Sequence, residues 1–112
     1  MEKGGTKVVT HATTGGQKEQ NDIRLDLLPA EALWEVGRVY GLGAQKYAAN
    51  NWRHGYDWSL SLAALHRHLL RFEAGESMDE GGFHHLGAVV FHALALMTFE
   101  REFPQGDDRY KT

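Results

Sequence analysis

The clearest periodicity lies between residues 29 and 48, where apolar or small side chains recur at Leu33, Val36, Gly37, Tyr40, Ala44 and Tyr47. Steps of three and four put these positions on one stripe, which predicts an amphipathic helix. Pro29 suits its first turn, where a missing N–H has no intrahelical partner to lose. Glu31 then stands near the positive end of the helix dipole. A second helix is predicted over about 59–74, with Leu62, Leu65, Leu69 and Phe72 as its stripe and Gly75 as its stop. The segment AANNWRHGYDWS between the two reads as a loop, with Asp57 or Ser59 able to cap the helix that follows. A third helix, over about 83–102, is apolar almost all round. Such a helix belongs at the centre of a bundle or inside a subunit contact. Pro104 ends it, and QGDDRYKT is a polar tail.

Upstream of the helices, residues 1–22 are rich in Gly, Thr, Lys and Gln and carry two Gly-Gly pairs. An irregular or mobile arm is expected there, with a short extended piece near Lys7–Thr10. The division is therefore an arm at 1–22, a helical domain at 23–104 and a tail at 105–112. The fold class is all-α, a small bundle of three main helices with an irregular N-terminal arm. Three helices in 112 residues, one of them apolar on every side, leave much surface to cover. A homo-oligomer whose helices complete the bundle is expected. The alternative is a monomer whose arm covers the third helix.

Composition narrows the function without naming it. Apolar residues make up 42% and charged residues 24%, as in a globular domain. A net charge of −3 gives no global field for DNA, so DNA binding is not expected. The chain has no cysteine, which removes disulfides, thiolate metal sites and a cysteine nucleophile, and suits a reducing cytoplasm. The N-terminus lacks the apolar run of a signal peptide. The longest apolar stretch, FHHLGAVVFHALALMTF, is broken by three histidines, so no membrane span is expected.

Chemistry concentrates in HRHLLRFEAGESMDEGGFHHL, residues 66–86, which holds four of the seven histidines. His66 and His68 are two apart and point to opposite sides of a helix, so they cannot chelate one metal. Arg67 and Arg71 are four apart and share a face. They suit a phosphate or carboxylate, or else form a solvated pair or meet Glu31 and Glu35 of the first helix. His85 and His92 are seven apart on one side of the third helix, with room between them for a flat ligand or a partner helix, or as hydrogen-bonded core residues. Glu73, Glu76 and Asp79 recur every third residue and are followed by Glu80. They could hold Mg²⁺ or Mn²⁺, or form a solvated acidic loop. Lys46, Asn51, Trp52 and Arg53 cluster where the first helix ends. Trp52 could stack a nucleobase while the cations meet phosphates, or it could anchor the loop to the core. Glu31, Glu35 and Arg38 share a face that ordinary intrahelical pairing explains as well as catalysis does. No Walker loop, nucleophile elbow, HExxH or adjacent His-Asp pair occurs.

Three blocks in order, IRLDLLPAEAL, GAQKYAANNWRHG and LHRHLLRFEAGESMDEGGFHHL, resemble the phage dATP/dGTP diphosphohydrolase N-terminal domain family over roughly residues 16–99. Lys18, Arg24, Asp26, Lys46, Tyr47, Asn51, Trp52, Arg67, His68, Glu76, Asp79, Glu80, Gly82 and His85 match the family pattern, while Ala88 stands where a second histidine is usual. The resemblance implies a helical phage domain of nucleotide metabolism in the host cytoplasm. It implies metal-assisted hydrolysis of a purine dNTP to dNMP and pyrophosphate. In that reading Glu76, Asp79 and Glu80 hold Mg²⁺ or Mn²⁺, with Glu31 and Glu35 as further candidates. Arg24, Lys46, Asn51, Trp52, Arg67, His68 and Arg71 bind the nucleotide, and His85 and Glu80 are catalytic. The alternative is a non-catalytic oligomeric binder that sequesters a nucleotide-derived signal of host anti-phage immunity. A helical protein–protein adaptor is the third reading.

Overall fold

The structure, a computed structural model, describes residues 5–111. Residues 1–4 of the expected arm and Thr112 of the tail lie outside the described residues. Three helices form the body: α1 (Ala30–Lys46), α2 (Trp58–Glu73) and α3 (His85–Glu102). Each lies within two residues of its sequence-based bounds. Both α1 and α2 pack on α3. The apolar circumference of α3 is explained by this, because α3 faces a neighbour on two sides. Val90, Leu94 and Met97 remain partly exposed on it.

Pro29 stands at the N-cap of α1, Glu31 lies in its first turn and Lys46 in its last, so both ends suit the dipole. The stripe of α1 is only partly used. Val36 is buried, whereas Leu33 and Tyr47 are exposed. Gly87 of α3 is where α1 comes closest. A Cβ there would lie 3.1 Å from the Glu35 carbonyl oxygen and 3.3 Å from Val39 Cγ2. Gly41 has open space instead, with nothing within 4 Å of the same ideal atom. Gly87→Ala should therefore destabilise by about 1–3 kcal/mol through overpacking. Gly41→Ala should stabilise by about 1 kcal/mol through helix propensity. Urea unfolding of the two variants checks both signs.

The opposite end of the α2–α3 pair carries the aromatic core. Trp58, Ala95 and Phe99 are buried, with Trp52, Tyr56, Leu96 and Phe103 packed against them. The Phe103 ring lies against Gly55, whose φ of +94° disfavours any side chain. Trp58 Nε1 donates to the Phe103 carbonyl at 3.1 Å, tying the start of α2 to the end of α3.

The arm departs from expectation, and the tail makes a contact that the sequence did not show. The extended piece expected near Lys7–Thr10 is β1 (Thr6–Thr10), but the arm is not irregular, because β1 pairs antiparallel with β2 (Gln17–Asn21), with Val8 opposite Glu19. All ten strand residues are exposed, so no period-two apolar signal marked the hairpin. The backbone pairing and a turn in which His11 Nδ1 accepts from Thr13 N and Thr14 N specify it instead. The hairpin projects from the body. The radius of gyration is 18.4 Å, against about 13 Å for a compact chain of this length. The tail, for its part, is polar but docked. Gly106 is buried, and Asp108 accepts from Ser59 N at 2.8 Å and Ser59 Oγ at 2.6 Å. Asp108 thus caps α2 from outside the helix, while Asp57, at the N-cap position, makes no side-chain cap bond. No helix among the described residues is long and apolar enough to cross a membrane.

Candidate functional site

Helix spacing places Arg67, His68 and Arg71 together on α2, and the connector after Glu73 folds back beneath them. Asp79 shapes that fold. Its Oδ1 accepts from Gly81 N and Phe83 N, both at 2.9 Å, and its amide donates to the Phe83 carbonyl at 2.8 Å. Arg38 of α1 reaches across to donate to the Gly82 carbonyl at 3.1 Å, lying over the Phe83 ring. The result is a polar pocket of about 300 Å³ lined by Arg67, His68, Arg71, Glu76, Asp79, Glu80, Gly81 and His85.

His85 is the buried member, at 4% exposure. Its Nδ1 lies 2.9 Å from His68 Nδ1, so one ring donates and the other accepts. Its Nε2 lies 3.6 Å from Glu76 Oε2, too far for a hydrogen bond, and has no partner. With the proton on His85 Nε2, His85 Nδ1 accepts from His68. In that tautomer His85 offers the pocket a buried, unsatisfied N–H, and in the other it offers a lone pair. Glu76 also meets Arg71 at 3.5 Å, so its carboxylate stands between a guanidinium and an imidazole.

A second cavity, of about 570 Å³, opens on the other side of the histidines. It is lined by Tyr40, Gly43, Ala44, Phe91, His92, Leu60, Tyr56 and the segment 47–52. His92 Nδ1 lies 2.9 Å from Ser61 Oγ, which lies 2.6 Å from Tyr56 Oη. His92 and His68 stack at 22°, with ring centroids 6.5 Å apart. The three histidines therefore form one seam between α2 and α3, with His92 at the aromatic cavity and His85 at the polar pocket.

Burial, helped by His68 and Arg67, pushes His92 down to about 4. Burial and then Arg67 and His85 push His68 down as well. The unfolded chain binds protons at a histidine below about pH 6.5, whereas folded His92 resists until about 4. Stability should therefore rise with pH across this window and be lost as the pH falls through it. His92→Gln should flatten the acid limb of melting temperature against pH.

Arg67, His68, Arg71, Glu76, Asp79, Glu80 and His85 share the polar pocket, while Asn51 and Trp52 line the aromatic one. Trp52 also anchors its loop to the core and carries Arg53 over its ring at 4.8 Å. Lys46 and Arg24 line neither cavity. Arg24 is clasped bidentately by Asp26 at 2.8 Å, which raises the arginine and lowers the carboxyl. Glu35 pairs with Arg38, and neither Glu31 nor Glu35 reaches the polar pocket. His84, beside His85, is spent on capping, because its Nδ1 accepts from Leu86 N at 3.0 Å. Ser61, Tyr56 and Phe91 escaped the sequence reading, and Tyr40 entered it only as part of the α1 stripe. The signal for Ser61 was its spacing, seven residues before His68 and so on the same side of α2.

Among the described residues, no three His, Cys, Asp or Glu side chains converge into a metal cage. Magnesium does not require one, since it keeps several waters and takes one or two carboxylates plus substrate phosphates. Glu76, Asp79 and Glu80 line one pocket without converging on a point.

Comparison with known proteins adds the family. A protein of Salmonella phage PMBT28, named dATP/dGTP diphosphohydrolase, is 32% identical over 97 residues, covering 86% of this chain and 33% of the relative. This chain thus spans about a third of that relative's length. No solved structure matches. The model for "dATP/dGTP diphosphohydrolase, N-terminal" matches residues 12–109, nearly the whole of the fold described above and both of its cavities, and the chain belongs to that family.

Proposed function

We propose that the polar pocket binds the phosphates of a purine deoxynucleoside triphosphate, and that the protein handles it in the host cytoplasm as its relative's name describes. The observation that carries this is His85 Nε2, a buried polar atom without a partner in a pocket shared with Arg67 and Arg71. A buried unsatisfied polar atom is costly, and in the N–H tautomer an anionic oxygen is the partner that relieves it. Two guanidiniums beside it supply the charge that phosphates need.

In the hydrolytic form, water attacks the α-phosphorus, the bond to the bridging oxygen breaks, and dNMP and pyrophosphate leave. Glu80 takes the proton from water. His85 donates to a phosphate oxygen, and Arg67 and Arg71 hold the leaving pyrophosphate. Glu76, Asp79 and Glu80 would hold Mg²⁺ or Mn²⁺, which would neutralise phosphate charge. The expected self-association is part of the same proposal. Leu25, Leu27 and Trp34 are 69–74% exposed and suit contact with further copies.

One observation favours the second reading, a binder that sequesters a nucleotide without cleaving it. Glu76 is held between Arg71 and His85, and Asp79 Oδ1 is used by two backbone amides. Incubation of dATP, dGTP, and cyclic and ADP-ribose nucleotides with Mg²⁺ or Mn²⁺, followed by chromatography before and after denaturation, separates the two. Monophosphate and pyrophosphate mean hydrolysis. Depletion with intact recovery means sequestration. Neither outcome, with any nucleotide, overturns both.

A further inference from the structure

We infer that the aromatic cavity between α1 and α3 is a second binding element, which takes the planar purine base while the polar pocket takes phosphates. This rests on the nucleotide reading above and adds a site for the part of the ligand that the arginines do not touch. The cavity wall is aromatic. Tyr40 and Phe91 lie 4.7 Å apart between ring centroids, and Trp52 stands edge-on to both at 6.1 and 6.2 Å. Flat π systems stack on such walls whatever their hydrogen-bond pattern.

Three polar features give the cavity an orientation. Ser61 is fully buried and bridges Tyr56 Oη to His92 Nδ1. One serine proton sets the direction of that relay, so His92 Nε2 is left as the ring's open position. It donates when Ser61 donates to Nδ1 and accepts when Nδ1 donates to Ser61. His92 is held neutral near pH 7 by burial, so it meets an uncharged base without a charge of its own. Asn51 lines the same cavity with an amide that carries one donor edge and one acceptor edge, the pairing that suits a purine's N–H and ring nitrogen side by side. The surrounding backbone is also unusual. Ala48 and Asn50 are the non-glycine residues with positive φ among those described, at 136° and 64°, and both line this cavity. Strain of that kind persists where the surroundings over-determine it, often at ligand sites. The seam joins the two cavities. His85 and His92 are seven residues apart on one helix, which is about 10 Å, the scale of a nucleoside triphosphate.

The experiment titrates the intact chain with deoxyadenosine and deoxyguanosine, which have no phosphate, and in parallel with inorganic triphosphate, which has no base. Saturable nucleoside binding is expected, with NMR contacts from the purine C8 proton to the rings of Tyr40 and Phe91. Gly43→Leu fills the cavity, because an added Cβ meets nothing within 4 Å. It should fold and bind nucleoside at least tenfold more weakly. Ser61→Ala, which frees the His92 tautomer, should weaken nucleoside binding less. Triphosphate binding without nucleoside binding overturns this inference and leaves the phosphate reading standing. Nucleoside binding without triphosphate binding does the reverse. Nucleoside affinity unchanged in Gly43→Leu, or purine contacts only at rings outside this cavity, also overturns it.

Discussion

Phe99→Ala should cost about 3–5 kcal/mol, enough to leave the chain largely unfolded at 37 °C. Phe99 is 1% exposed and is the hub of the aromatic core. Its ring meets Tyr56 edge-on at 5.0 Å, Phe103 at 6.0 Å and Trp52 at 6.1 Å. Truncation leaves a cavity that three rings cannot close at once. Compensation is scarce, because only five hydrophobic residues among those described are buried: Val36, Trp58, Ala88, Ala95 and Phe99. A small domain has roughly 5–15 kcal/mol in total, and one with so thin a core stands near the low end. Phe99→Leu should cost less, since a γ-branched side chain fills part of the space. Urea unfolding followed by near-UV circular dichroism checks both. Equal stability of the alanine variant would mean that Phe99 is not the hub. Trp52 and Tyr56 line the aromatic cavity, so the leucine variant should also loosen that cavity more than the polar pocket.

The second large effect is on binding. Arg67→Ala and Arg71→Ala should each weaken dATP or dGTP binding by about tenfold to a hundredfold, since each removes a charged hydrogen-bond donor worth about 1.5–3 kcal/mol. Neither should change melting temperature much. The Arg71–Glu76 pair is at least half exposed on both sides, and exposed pairs contribute little. The two variants should differ in one readout. Arg67 helps hold down both His68 and His92, so its loss should raise both, visible in histidine proton shifts against pH. Loss of Arg71 should leave His92 unmoved, because Arg71 bears on His68 but is not among the groups acting on His92. Raised salt should weaken wild-type binding. Full nucleotide affinity in the double variant would remove the phosphates from this pocket.

What the sequence determined by itself is local and periodic. Steps of three and four marked α1 and α2 and set Arg67 beside Arg71 and His68 opposite His66, while a continuous apolar run marked α3. The apolar circumference of α3 marked it as either central in a bundle or buried in a subunit contact, and packing against both α1 and α2 makes it central. The stripes and shared faces follow from helix geometry alone, and the ordered blocks that matched the family are likewise written in the chain. Tertiary structure decided everything that depends on distant partners. It chose Asp108, not Asp57, to cap α2, because the tail folds back across the start of that helix. It paired two strands whose ten residues carry no apolar alternation, because the pairing lies in the backbone. It also sorted the expected site residues, sending Asn51 and Trp52 to one cavity, Arg67, His68 and Arg71 to another, and Arg24 to neither. Ser61 became a buried bridge only because α3 presents His92 to it. Residue spacing sets which face of a helix a side chain occupies, whereas helix packing sets what that face meets.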